Sequence, residues 1–149
     1  MDRAAVILEL TRDESKRLFV YDDATGKPIT PNTICHGHPT IGVGRALDVH
    51  GLSDAEVAYL LGNDIDECTA QVQKAIPWWA KLDPIRQRVL VEMAFNMGVN
   101  GLLEFKNTLE FVRLGNYPAA ADGMLKSRWA TQVGERATRL ARMMSEGSL

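Results

Sequence analysis

Glu14, Asp22, Asp23 and Thr40 are the residues of this chain whose types and spacing suit acid–base chemistry. Clustered carboxylates followed by a hydroxyl fit the hydrolysis of a glycosidic bond, which takes two groups across the scissile linkage. One donates a proton to the leaving oxygen; the other activates a water or attacks the sugar carbon. The donor must keep its proton near neutral pH, which calls for partial burial. Plainer readings stand beside this one. Thr11-Arg12-Asp13-Glu14 fits a helix capping box, and Asp22-Asp23 ahead of Gly26 fits a turn. Spacing alone does not choose between them.

The elements that must position these residues are set by the pattern around them. Residues 2–13 carry Ala5, Ile7, Leu8 and Leu10 and predict a short helix. Leu18-Phe19-Val20-Tyr21 is a β-type run, and Asp22 to Gly26 is a turn signal. Pro28, Pro31 and Pro39 and several glycines punctuate the stretch from there to Gly44, which predicts a small irregular antiparallel sheet with residues 40–44 as its last strand. After Ser53 the pattern turns helical. Ser53-Asp54-Ala55-Glu56 is a capping box. Val57, Leu60, Leu61, Ile65, Cys68 and Val72 then share one face of a long helix that ends before Pro77. Asp83-Pro84 opens another helix with an N-cap and an N1 proline, and Gly98 is its expected stop. Further helices are expected at about 107–114, 117–125 and 135–145, separated by Gly115 and Gly134. The fold class is α+β. A sheet lobe over about 14–50 is joined by a long helix to a mainly helical lobe over about 53–149, which takes in the N-terminal helix. The 149 residues make one domain.

Composition narrows the function classes. The chain is 46% hydrophobic and 24% charged, which fits a globular protein and not a disordered one. A net charge of -2 argues against a dedicated nucleic-acid binder. From Lys106 onward seven Lys and Arg face four acids, so the C-terminal part is basic; this suits an anionic partner or simply solvated helix faces. Cys35 and Cys68 make no disulfide framework. No apolar run is long enough to span a membrane, and the N-terminus lacks a secretory pattern.

Several stretches together resemble the phage-type lysozymes, the muramidases of the T-even kind. They are Asp13-Glu14-Ser15-Lys16-Arg17-Leu18, Tyr21-Asp22-Asp23 and Thr40-Ile41-Gly42-Val43-Gly44. Phe95-Asn96-Met97-Gly98 with Phe105-Lys106-Asn107-Thr108-Leu109 is similar to the family's central helical motif. Lys126-Ser127-Arg128-Trp129, with Gln132 and Arg136-Ala137, is similar to its C-terminal motif. The likeness runs over nearly the whole chain in the family's order. It implies Glu14 as general acid, Asp23 as second carboxylate and Thr40 as a holder of the attacking water. It implies Asn96, Ser127, Trp129 and Gln132 at the saccharide-binding cleft, and Arg136 as the cation paired with the catalytic glutamate. A cation beside a carboxyl favours the ionised form and burial favours the neutral one, so these two influences oppose each other. Trp129 also reads as a core tryptophan.

The implied reaction is hydrolysis of the β-1,4 bond between N-acetylmuramic acid and N-acetylglucosamine in peptidoglycan, with inversion. Inverting carboxyl pairs stand about 6.5–9.5 Å apart and retaining pairs about 5–5.5 Å. No cofactor, nucleic acid or stable membrane association is expected, and a monomer is. The setting implied is an endolysin made in the host cytoplasm without a signal peptide and freed by a separate membrane-permeabilising protein; a toxin delivered by a contractile apparatus fits equally. A lytic transglycosylase, which has no need of Asp23 and Thr40, and an inactive peptidoglycan-binding module are the alternatives. Two departures from the family pattern stand out. Residues 27–39 are inserted between Gly26 and Thr40, and Arg45 replaces a histidine. The insertion carries Cys35-His36-Gly37-His38, whose three possible ligands lie too close together to converge on one tetrahedral zinc, and no fourth is suitably spaced.

Overall fold

A computed structural model describes residues 1–149. The chain divides into two compact units, Met1–Ala58 and Tyr59–Leu149. No helix is long and apolar enough to cross a membrane.

The first unit begins with α1 (Arg3–Glu14). Asp2 caps it by accepting from the amides of Ala4 and Ala5. Thr11 to Glu14 therefore form its last turn and not a capping box, and Ser15 leaves it at a φ of 60°. Strands β1 (Arg17–Asp22), β2 (Pro39–Gly42) and β3 (Arg45–Ala46) form one antiparallel sheet in that order. Residues 40–44 are thus not the last strand. Gly42 and Gly44 both take positive φ, so the chain turns there and β3 returns alongside β2. A bridge from Tyr21 to Pro28 pairs the start of the inserted segment with β1, while its end at Pro39 pairs with Asp22. A short α2 (Leu47–His50) packs on β2 and β3.

The capping box opens α3 (Asp54–Ala75) as expected: Glu56 accepts from the Ser53 amide and hydroxyl, and Ser53 accepts from the Glu56 amide. Of the apolar face read from the sequence, Val72 is buried and Cys68 half-buried, while Val57, Leu60, Leu61 and Ile65 are exposed. A 3₁₀ turn at Trp79–Lys81 comes next. Helix α4 (Pro84–Leu103) starts on Asp83, which accepts from the amides of Ile85 and Arg86. Gly98 stops its first stretch as expected, at φ 76°, ψ 157°, a conformation only glycine adopts freely, and a second helical stretch follows across the kink to Leu103. Helices α5 (Lys106–Arg113), α6 (Tyr117–Leu125) and α8 (Glu135–Glu146) lie within a residue of expectation. Helix α7 (Arg128–Val133), whose N-cap is Ser127, was not expected from the sequence pattern.

The hydrophobic core belongs to the second unit. Leu90, Met93, Leu102, Met124, Leu140 and Met144 are among its fully buried members. The C-terminal end of α8 is finished by a side chain from α4. Arg86 donates to the carbonyls of Met144 and Ser145 at 2.7 and 2.9 Å, pairs with Asp83 at 2.7 Å, and lies 3.6 Å above the Tyr117 ring. Its removal strands two helix-end carbonyls and a carboxylate. We expect Arg86→Ala to cost about 2–4 kcal/mol in urea unfolding, with Arg86→Lys recovering only part for lack of the planar fork.

Candidate active site

Only two residues of the first unit are buried, and both are polar: Asp22 and Thr40. They bracket Asp23. A carboxylate leaves water only when donors replace its hydration, and Asp22 has three. Its side chain accepts from the amides of Ala24, His36 and Gly37, each at 3.0 Å. The His36 amide foremost, against opposing burial, and then the Gly37 and Ala24 amides hold the Asp22 carboxyl below the usual carboxylate range. One end of the inserted segment is thereby fastened to the end of β1.

The antiparallel register sets Tyr21 opposite Thr40 and Asp22 opposite Pro39, so the insertion does not dislodge Thr40 from the Asp22-Asp23 pair. The main chain of His38 lies between the two candidate water-handling residues. Its N–H donates to Asp23 Oδ1 at 2.7 Å. Its carbonyl accepts from the Asp23 amide at 3.2 Å and from the Thr40 hydroxyl at 3.1 Å. One Asp23 oxygen is thus engaged, and the Thr40 hydroxyl proton is spent, leaving lone pairs on its oxygen. Gly37 completes the fit. A Cβ there would fall on Asp23 Oδ1 and within 2.8 Å of the Ala24 amide nitrogen and Cβ.

Glu14 ends α1 and is exposed, as is Asp23. The partial burial expected of an acid is not supplied to Glu14 within its own unit: α1 buries none of its residues, and the buried carboxylate of this unit is Asp22. Glu14 Oε2 lies 3.7 Å from where a Cβ on Gly44 would stand, so the carboxyl reaches the β2–β3 turn.

The side chain of His38 is pinned from α2, with Nδ1 2.9 Å from Asp48 Oδ2. That hydrogen bond, then the Asp48 charge, raises the His38 pKa above the ordinary histidine value, and the same bond lowers that of Asp48. The stabilisation carried by His38 is complete below about pH 6.5 and is lost as pH rises through its raised value. That carried by Asp48 is present above about pH 3.9 and is lost as pH falls through its lowered value. The pair therefore tightens the loop between those limits. In an NMR titration the His38 midpoint should drop toward the ordinary value in Asp48→Asn.

Cys35 donates its thiol to the Gly37 carbonyl at 3.3 Å, and burial, with the Asp22 charge, pushes that thiol up. No three His, Cys, Asp or Glu side chains gather as a metal site. Arg45 donates to the Gly51 carbonyl and pairs with Glu56 at 2.8 Å.

The remaining candidates lie in the second unit. Trp129 is buried, donates its indole N–H to Asn96 Oδ1 at 2.9 Å, and meets the Phe105 ring edge-on at 6.2 Å. Asn96 is exposed, with its amide orientation set by that bond. Ser127 is half-buried; it accepts from the Ala130 amide and donates to the Met124 carbonyl. Gln132 is exposed on α7. Arg136 donates to the Glu92 carbonyl at 3.2 Å and stands 3.9 Å from the Glu92 carboxylate. With Leu61, Ile65, Val91 and Phe95 these two line an open hollow of about 360 Å³. Sequence reasoning singled out neither Asp22 as the buried anchor nor the His38 main chain and Gly37 as supports. The doubled aspartate and the His-Gly-His-Pro run were their only visible signals.

Comparison with known proteins places these features in a family. The chain is 28% identical over 168 aligned residues to the pre-baseplate central spike protein Gp5 of Enterobacteria phage T4, covering 94% of this chain and 27% of that protein. It is 34% identical over 71 residues to probable T4-type lysozyme 1 of Dictyostelium discoideum, and 31% identical over 68 residues to probable T4-type lysozyme 2 of the same organism. Those alignments cover 48% and 46% of this chain and 42% and 40% of the relatives. The chain thus spans about a quarter of the spike protein and about two fifths of the other two. The phage lysozyme family model matches residues 11–144, a span that holds Glu14, Asp23, Thr40 and Arg136, and the chain belongs to that family.

Proposed function

We propose that this chain is an endolysin-type lysozyme that hydrolyses the β-1,4 bond between N-acetylmuramic acid and N-acetylglucosamine in bacterial peptidoglycan. Membership of the phage lysozyme family supports a peptidoglycan-hydrolysing lysozyme activity. The observation that carries the finer reading is the linkage of Asp23 and Thr40 through the His38 main chain. In this mechanism Glu14 gives its proton to the glycosidic oxygen as the C1–O bond breaks. A water attacks C1 from the opposite face, and its proton passes to the Asp23 oxygen not engaged by His38. The Thr40 oxygen accepts a hydrogen bond from the second water hydrogen, which stays on the water oxygen, and so turns a lone pair of the water toward C1. The product is a reducing sugar of inverted configuration. A glycan strand lying over Glu14 would add to the burial that an acid needs to keep its proton. Asn96, Ser127, Trp129 and Gln132 are assigned to glycan binding, with Trp129 acting through Asn96, and Arg136 is assigned as the supporting cation. The endolysin role includes release across the membrane by a separate permeabilising protein.

Digestion of purified peptidoglycan, followed by borohydride reduction and mass spectrometry, tests this reading. Reducible muramic ends are expected. Anhydromuramic ends would establish a transglycosylase instead, and intact glycan with a folded protein would leave a binding module.

A further inference from the structure

We propose that His38 is a positioning residue of this site: its main chain joins Asp23 to Thr40, and its imidazole, held by Asp48, fixes that main chain in place. Three observations carry this. The His38 N–H and C=O are the shared partners of both water-handling residues, at 2.7 Å to Asp23 and 3.1 Å to Thr40. The segment leading to His38 is tied down one and two residues earlier, where the Gly37 and His36 amides meet the buried Asp22 carboxylate. Beyond Gly37 the restraint passes to the His38–Asp48 contact at 2.9 Å, which reaches across to α2. His38 therefore stands between two anchors, one on β1 and one on α2.

The inserted segment accordingly supplies a main-chain bracket for the water rather than merely lengthening a loop. With the imidazole gone, the peptide keeps its N–H and C=O but loses the second anchor, so Asp23 and Thr40 drift together relative to the sugar. A small misplacement of reacting groups lowers the rate constant more than the affinity.

The kinetic arm of the test rests on the glycosidase reading; the exchange arm does not. We would compare wild type, His38→Ala, Asp48→Ala and the double variant by kcat and KM on soluble peptidoglycan fragments. Amide hydrogen exchange at position 38 would be followed in the same four proteins. Each single variant should lower kcat about tenfold with KM kept within about twofold. The double should be no worse than the poorer single, and exchange at position 38 should speed up about tenfold in all three. Unchanged kcat would overturn the proposal. So would losses that multiply in the double variant, or a raised KM with kcat kept, the signature of an imidazole that binds glycan directly. If wild type leaves the glycan intact, the glycosidase reading fails. The exchange arm then decides alone: faster exchange in the variants sustains the bracket, and unchanged exchange removes it.

Discussion

Glu14→Gln should lower glycan cleavage about 10²- to 10⁴-fold while leaving the melting temperature within a degree or so of wild type. The substitution keeps shape and removes the only thing a general acid must have, a proton it can release and regain. Glu14 is exposed at the end of α1, and α1 buries none of its residues, so the fold loses little. The neighbouring carboxylate is the control. Asp13 is also exposed and is engaged by Arg12 at 2.8 Å, an exposed pair of little energetic weight. Asp13→Asn should cleave at the wild-type rate. Turnover measured by reducing-end release separates the two variants, and equal rates for Glu14→Gln and wild type would remove Glu14 from the chemistry.

The second large effect is expected at a residue with no side chain. Gly37 does not occupy the left-handed region, so alanine is permitted there as far as backbone torsions go. What forbids it is contact: the added carbon would fall on Asp23 Oδ1 and crowd the Ala24 amide and Cβ. Both obstacles belong to the turn that carries Asp23, and the Ala24 obstacle includes main chain, so rotating one side chain does not relieve it. Gly37→Ala should therefore push Asp23 off its His38 hydrogen bond and lower kcat about 100-fold. The helical unit, which holds the whole hydrophobic core, should keep its circular dichroism signal and cooperative unfolding. A Gly37→Ala protein as active as wild type would show that Asp23 is not held where its hydrogen bonds place it.

Much of the helical part was legible because its signals are local. Ser53 and Glu56 cap each other, Asp83 and Pro84 open α4, and Gly115 and Gly134 fall where helices end. Gly98 shows the limit of such a signal. Its residue type gives away a break but not whether helix resumes on the far side, which depends on packing around Leu102. In the sheet the single strand expected over residues 40–44 missed that Gly42 and Gly44 reverse the chain, because two glycines two apart fit a strand end and a turn equally well.

Within the candidate site, Glu14, Asp23 and Thr40 were singled out through family resemblance, since spacing left Glu14 and the aspartate pair with structural alternatives. Asp22 was not, because an Asp-Asp pair carries no mark of which carboxylate turns inward. That is decided fourteen and fifteen residues later, where the amides of His36 and Gly37 come back to meet it. Main-chain donors have no signature in a sequence, so a bracket made of the His38 peptide could only be seen once the register was known.

The inserted segment enters and leaves on opposite sides of the same strand. Residues 27–29 pair with β1 along one edge through the Asp22–Lys27 and Ile29–Val20 main-chain bonds, and Pro39 and Thr40 pair along the other. Between them Thr30-Pro31-Asn32-Thr33 closes on itself, with Asn32 at a φ of 73° and the two threonines bonded to each other, and all four are exposed. The crossing is therefore clamped at both ends and self-contained at its tip. Lengthening or replacing the tip leaves the clamps untouched, which makes residues 31–33 a natural graft point: an epitope, a fluorophore or a wall-targeting peptide could be carried there without shifting the strand register that sets Asp22 opposite Pro39 and Tyr21 opposite Thr40.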